Sequence, residues 1–438
     1  MRRREWFAGR FGRAGLFANA EAAVKAGIVS PMWRHMLCLF LVLLLSVSQL
    51  SLAVPPAAAA PGASVTPSQG SSGDPSGGGS PAPAPTVDLS EFQRVLEELE
   101  RDKGKYLPSL NPRTIMEDIR NGRVSLSIGE VFRGVMGYLF QEVLANTALL
   151  GELIILAVVV AVLNHFQSSF ESGAVSKTAF AVGYMVLITI AIHSFYAAVQ
   201  TGRGAIDDMV RFMQAILPVL LTLLTAMGGF ASGALFHPVI FGAITLISTL
   251  IKDWIFPLIL FSAVLGILNH VSSQFKVKNL QNLIKDGYKL AMGLFITVFL
   301  GVISIYGAVG AVADGLTLRT AKYATDALLP VVGGLVADSF ELIVNSSLLL
   351  KNGIGLIGLV IIAILCVLPS LKILALVLIY RLAGALLQPI GDSPVADSLE
   401  TIGGSLTLVF GAVAAVGLMF FLALTIVVGA GNLTVMLR

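Results

Sequence analysis

From residue 143 to residue 438 the chain is a succession of apolar runs, several of them long enough to cross a lipid bilayer. A crossing takes about 17 to 25 mostly apolar residues, because an α-helix rises about 1.5 Å per residue through a hydrocarbon core about 30 Å thick. Windows of that kind lie at 143–163, 178–199, 210–229, 234–251, 254–271, 290–313, 354–379 and 404–430. A further window, 327–350, is ambiguous. It holds Asp338, Glu341 and Asn345 among apolar residues, with Gly333-Gly334. It reads as a span facing the bundle interior, as a re-entrant segment or as a helix lying flat. Charged residues make up 13% of the chain, against about 25% in soluble domains. The fold class that follows is all-α: a polytopic integral membrane helical bundle over 143–438, with about eight to nine membrane segments.

An internal repeat runs through this bundle. Ala161-Val162-Leu163-Asn164-His165-Phe166-Gln167-Ser168-Ser169-Phe170 closes one apolar window, and Gly266-Ile267-Leu268-Asn269-His270-Val271-Ser272-Ser273-Gln274-Phe275 closes another. Each is followed by a further apolar span and a Leu-Pro element, at Leu217-Pro218 and Leu329-Pro330, with a partial copy at Leu387-Gln388-Pro389. Val336-Ala337-Asp338-Ser339 and Val395-Ala396-Asp397-Ser398 follow the last two. Repeats of this kind in membrane proteins mark duplicated helix bundles.

The first 142 residues have another character. Residues 1–31 carry five arginines and one lysine against two glutamates, and read as an extension upstream of a start at Met32 or Met36. Met32 to His35 then lead into the apolar run Leu37–Val54 and a set of alanines, which is the pattern of a secretory signal peptide over 1–60. The alanines supply cleavage sites; an uncleaved anchor is the alternative. Residues 61–87, mostly Gly, Ser, Pro and Ala, form a linker that cannot bury enough apolar area to fold. Residues 88–142 read as an extracytoplasmic amphipathic helical segment. Leu89, Phe92, Val95, Leu96 and Leu99 recur at helical spacing, Pro108 and Pro112 interrupt, and Ser127-Ile128-Gly129-Glu130 has capping-box spacing for a new helix. That helix suits the membrane surface, a partner, or the cap of its own bundle.

Loop charges set an orientation. Lys276, Lys278, Lys285 and Lys289 against Asp286 place 272–289 in the cytoplasm, whereas the neighbouring loops balance. Lys252 offsets Asp253, and Arg203 and Arg211 face Asp207 and Asp208. Counting back puts 164–177 on the same side, so the repeat is parallel, and the first span starts outside, as a signal peptide requires.

Candidate functional residues are few. Asn164-His165 and Asn269-His270, at the ends of spans, suit gating, ion binding or a cytoplasmic partner; helix capping explains them as well. Glu152 falls inside the first span, where an ionisable group is a functional candidate. Asp338 and Glu341 share one helical face and are echoed by Asp397 and Glu400; they suit a cation or a proton relay, or equally the polar face of an amphipathic helix. Pro218, Pro330 and Pro389 are expected to break helices within apolar runs. Catalytic motifs are missing: no Gly-x-x-x-x-Gly-Lys-Ser/Thr, Gly-x-Ser-x-Gly or His-Glu-x-x-His occurs. Cys38 and Cys366 lie far apart in apolar stretches, the five histidines form no ligand pair, and a net charge of +3 argues for no nucleic acid. No enzyme activity, metal or cofactor is implied.

The chain resembles the stage III sporulation protein AE family of endospore-forming bacteria over roughly 88–438. The resemblance is carried by the two Leu-Asn-His-x-x-Ser segments, by Ala-Leu-Leu-Pro-Val-Val-Gly-Gly at 327–334, and by Leu387-Gln388-Pro389-Ile390-Gly391-Asp392 with Val395-Ala396-Asp397. It implies a polytopic part of the membrane platform of an eight-protein assembly, made in the mother cell and placed in the outer forespore membrane. The implied partners are a secretion-type ATPase, ring-forming proteins and a forespore membrane protein across the intermembrane space. The implied role is a component of a secretion-like channel, or feeding tube, that sustains the engulfed forespore. No catalytic residues come with the resemblance. Two other readings compete: a free-standing secondary transporter with a site between the repeats, and a membrane-embedded enzyme, which the missing motifs disfavour.

Overall fold

A computed structural model describes residue 94 and residues 128–169, 174–271, 277–328, 333–390 and 394–436. The signal peptide, the linker, most of the segment 88–127 and Pro330 lie outside the described residues. Every described element is helical. In chain order these are α1 (Ile128–Ala145), α2 (Thr147–Ser169), α3 (Ala174–Ala226), α4 (Phe230–Leu250), a π turn (Ile251–Ile255), α5 (Phe256–Val271), α6 (Lys278–Leu328), α7 (Gly333–Leu387), a 3-10 turn (Gln388–Ile390) and α8 (Pro394–Met436).

Among the described residues, helices long and apolar enough to cross a membrane number five: Thr178–Ala226, Phe230–His270, Lys278–Thr317, Ser346–Leu387 and Pro394–Ala430. A sixth crossing is possible if Arg133–Ala145 and Thr147–Leu163, bent by 48° at Asn146, act as one span. The sequence windows suggest eight or nine separate spans, and the structure differs in a specific way. Windows 178–199 and 210–229 are joined within α3, and 234–251 and 254–271 are joined through the π turn. The polar residues between them do not form loops: the helices continue through them, with Lys252 paired to Asp207 and Arg203 bonded to the Lys252 carbonyl across the bundle.

Helices α7 and α8 form the centre. No side chain from Thr401 to Ala430 is exposed, as expected of a helix that is apolar on every face. Pro394 opens α8 at a position where its missing N–H costs nothing, and Asp397 in the first turn complements the helix dipole. Lipid tails are as apolar as leucine, so close packing, more than water exclusion, holds such helices together. Glycines permit it: a Cβ on Gly417 of α8 would overlap the Cys366 sulfur of α7.

The remaining helices wrap this pair. Helix α1 starts at Ile128, where the capping-box spacing puts it, and packs Tyr138 with Val135 and Leu139 against Leu368 and Leu371 of α7. It therefore covers its own bundle on one face, while Phe140 and Leu144 are exposed on the other. Between α3 and α4 the chain reverses in a tight C-terminal motif. Gly228, at φ 92°, donates to the Thr225 carbonyl at 2.9 Å, and Gly229 donates to the Leu224 carbonyl at 2.9 Å.

One expectation about proline is corrected. Pro218 does not break its helix: α3 continues through it, as α4 does through Pro238 and α7 through Pro369. Proline at 218 withdraws the N–H that would bond the Gln214 carbonyl, and packing against neighbouring helices, which keeps Leu217 and Val219 buried, holds the helix through it. Pro389 does coincide with a break, in the 3-10 turn that ends α7.

Candidate functional site

Polar side chains inside this apolar bundle gather in three layers along its length. The first lies where the second Leu-Asn-His motif ends α5. His270 Nε2 stands 3.3 Å from Thr401 Oγ1, and His270 Nδ1 stands 3.7 Å from Asp397 Oδ2, close enough for ionic attraction but too long for a hydrogen bond. Ser398, one residue on, gives its proton to the Pro394 carbonyl at 2.7 Å. Tyr184 of α3 is therefore the donor in its 2.6 Å bond to Ser398. Gly266 makes room here for buried Gln281 of α6, whose Nε2 has no hydrogen-bond partner among the described residues. Two segments that stand out in the sequence, Asn269-His270 and Val395-Ala396-Asp397-Ser398, are thus brought together.

The second layer lies halfway along. Lys252, in the π turn, forms an ion pair with Asp207 of α3, and Arg203 Nη2 donates to the Lys252 carbonyl at 2.7 Å. A π turn leaves a carbonyl out of the regular helical ladder, and the guanidinium answers it. The side chains are half-buried, and Gly202 lets α3 close against Phe256 and Val413 at this level. In sequence, Lys252 offsets Asp253 and Arg203 faces Asp207 within separate loops. In the fold the charges pair between those segments.

The third layer lies at the far end. Asp314 of α6 is fully buried and accepts from the Ala231 N–H at 2.7 Å and the Ser232 N–H at 3.2 Å, the first turn of α4. This is a helix N-cap supplied by another helix. Lys351 of α7, also fully buried, donates to the Val428 carbonyl of α8 at 2.8 Å.

Most residues singled out in the sequence stand apart from these layers. Asn164 and His165 fall in the last turns of α2, with side chains outside the described residues, and so do the side chains of Asp338 and Glu341 in the first turns of α7. Asn269 is half-buried beside His270. Glu152 is exposed on α2. Tyr184, Asp207, Lys252, Asp314 and Lys351 escaped sequence reasoning as partners. The charged gaps in hydropathy around 203–211 and 252–253 were the available signal, and they looked like loops.

The layers bind helix to helix: α3, α5 and α8 at one end, α3 to the π turn in the middle, and α4 to α6 and α7 to α8 at the other. Buried polar contacts of this kind set the axial register of packed helices. Among the described residues no group of three or more His, Cys, Asp or Glu side chains is placed to hold a metal ion.

Comparison with known proteins gives a consistent picture. The family model for stage III sporulation protein AE matches residues 110–431. The stage III sporulation protein AE of Bacillus subtilis (strain 168) is 41% identical over 355 residues, covering 81% of this chain and 89% of that protein. No solved structure matches.

Proposed function

The chain belongs to the stage III sporulation protein AE family, and from that premise we propose that it is a non-enzymatic component of a mother-cell-to-forespore channel required after engulfment. A role in sporulation follows from the family. The channel reading is more specific, and it is supported by the kind of molecule the fold makes. The carrying observation is a bundle with five long apolar helices among the described residues, whose buried polar groups tie helices to each other. A multi-pass membrane platform is built that way. The proposed partners are a secretion-type ATPase, ring-forming proteins and a forespore membrane protein across the intermembrane space. The proposed location is the outer forespore membrane.

Imaging tests this reading. A fluorescent protein is fused to the C-terminus, and the fusion is first required to rescue a deletion strain. The expected result is concentration around the engulfed forespore, with the deletion arresting spores after engulfment. Uniform plasma-membrane fluorescence in growing cells, with normal spores from the deletion, would reject it in favour of the transporter. Uptake assays on Glu152, Asp338 and Glu341 variants would then follow.

A further inference from the structure

We propose that Asp314, Ser232 and the backbone carbonyls of the turn between α3 and α4 form a site for one monovalent cation of the sodium kind. Such a site is independent of whether the chain serves a channel or a transporter.

Asp314 carries its carboxylate into a fully buried position on α6. Its bonds come from neutral groups. Oδ1 accepts from the Ala231 N–H at 2.7 Å and from the Ser232 N–H at 3.3 Å, and Oδ2 accepts only from the Ser232 N–H, at 3.2 Å. The ion pairs formed among the described residues use Asp207, Asp286, Asp397 and Glu142, and none of them uses Asp314. The start of α4 offsets only about half a unit of charge. A buried charge is ordinarily paired or bound to a metal ion. A carboxylate has about four lone-pair positions, so Oδ2 keeps capacity for a further partner.

A second oxygen stands beside it. Ser232 Oγ is buried and has no hydrogen-bond partner among the described residues. It points at α6, where a Cβ on Gly310 would stand 2.5 Å from it. Gly310 and Asp314 are four residues apart, so they share one face of α6. The hydroxyl and the carboxylate therefore occupy the same contact between α4 and α6, and yet they do not bond to each other. A cation between two oxygens keeps them apart where a hydrogen bond would draw them together.

The turn adds neutral oxygens. Helix α3 ends at Ala226, and Met227, Gly228 and Gly229 after it are buried. The carbonyls of Leu223, Leu224 and Thr225 receive the N–H groups of these three residues. The carbonyls of Met227 and Gly228, within five residues of Ser232, receive none among the described residues. Buried carbonyls are nearly always paired, and carbonyls at the C-terminal ends of broken membrane helices are recurrent ligands of sodium.

This donor set selects the class of ion. Oxygen donors suit a hard cation. Asp314 belongs to no metal-binding group of three or more His, Cys, Asp or Glu side chains among the described residues, so one carboxylate meets an ion otherwise held by neutral oxygens. One unit of positive charge balances it. A divalent ion would leave a net positive charge beside the positive end of α4. The bound ion joins the end of α3 and the start of α4 to α6.

Thermal unfolding of the full-length chain in detergent tests the site, with sodium chloride exchanged for choline chloride at constant ionic strength. The expected result is a melting temperature that rises with sodium and saturates, because a ligand of the folded state stabilises it. Ser232→Ala is expected to need about tenfold more sodium for the same rise, and Asp314→Asn to show no rise. Asp286→Asn, at an exposed acid on the same helix, is expected to respond like wild type. Should Asp314→Asn not fold, Ser232→Ala decides. Equal melting of wild type in the two salts overturns the site, and so does a wild-type sodium response in Ser232→Ala. Loss of the response in Asp286→Asn overturns it as well, by marking a general effect of charge.

Discussion

Asp314 shows how a single residue is made tolerable in an apolar interior. A buried carboxylate is costly unless hydrogen-bonded, and here the Ala231 and Ser232 N–H groups, at the positive end of α4, supply the bonds. Asp314→Ala should lower stability by about 1–2 kcal/mol, the range for losing an N-cap. Asp314→Asn, which keeps an acceptor oxygen, should cost less. Thermal unfolding in detergent checks this, and equal melting of wild type and the alanine variant would show that the cap contributes nothing. Part of such chemistry is legible in a sequence and part is not. Asn269-His270 stands out at the end of an apolar run, and Asp397 stands out by its repeat. That His270 faces Asp397 and Thr401 depends on residues more than a hundred positions apart, which no local pattern records. Asp314 and Lys351 look like ordinary polar residues until their burial is known.

Among the elements, helix length is the property that local reasoning missed. Hydropathy marks where a chain is apolar, and it treats each charged gap as a break. A helix breaks only where backbone geometry or a missing N–H forces it, and Arg203, Asp207 and Lys252 do neither. Helix α3 runs through 53 residues for that reason. Pro218 gives way to packing in the same manner. Close packing also makes a sharp prediction between α7 and α8. Gly417→Ala must displace the Cys366 side chain or separate the helices, at a cost of about 1–3 kcal/mol typical of overpacking. The expected outcome is a lower melting temperature, partly restored by Cys366→Ala in the double variant. No restoration would mean that the strain is relieved elsewhere.

At the level of the molecule, the charges near the middle of the bundle change what a topology experiment should find. Separate spans at 178–199 and 210–229 would leave Ile206 in a loop, open to reagents. In the folded bundle Ile206 is fully buried. An Ile206→Cys chain should therefore resist a membrane-impermeant maleimide both in intact spheroplasts and in opened vesicles, and react only after denaturation. Rapid labelling of native protein from either side would contradict a continuous α3. Joining two pairs of windows removes two crossings, so the sidedness read from the lysines of 272–289 is unchanged, with both Leu-Asn-His motifs still on one side.

The sequence by itself determined that the chain is helical and apolar enough for a membrane, and it carried the family resemblance. These follow from composition, from apolar run length and from motifs, all of which are local. Only the tertiary structure decided how many helices those runs make, which helix lies at the centre, and which polar groups meet. The physical reason is that a polar group in an apolar setting is stabilised by whichever partner packing brings to it. Lys252 pairs with Asp207 and not with its neighbour Asp253, and that choice turns two expected loops into the middle of two long helices.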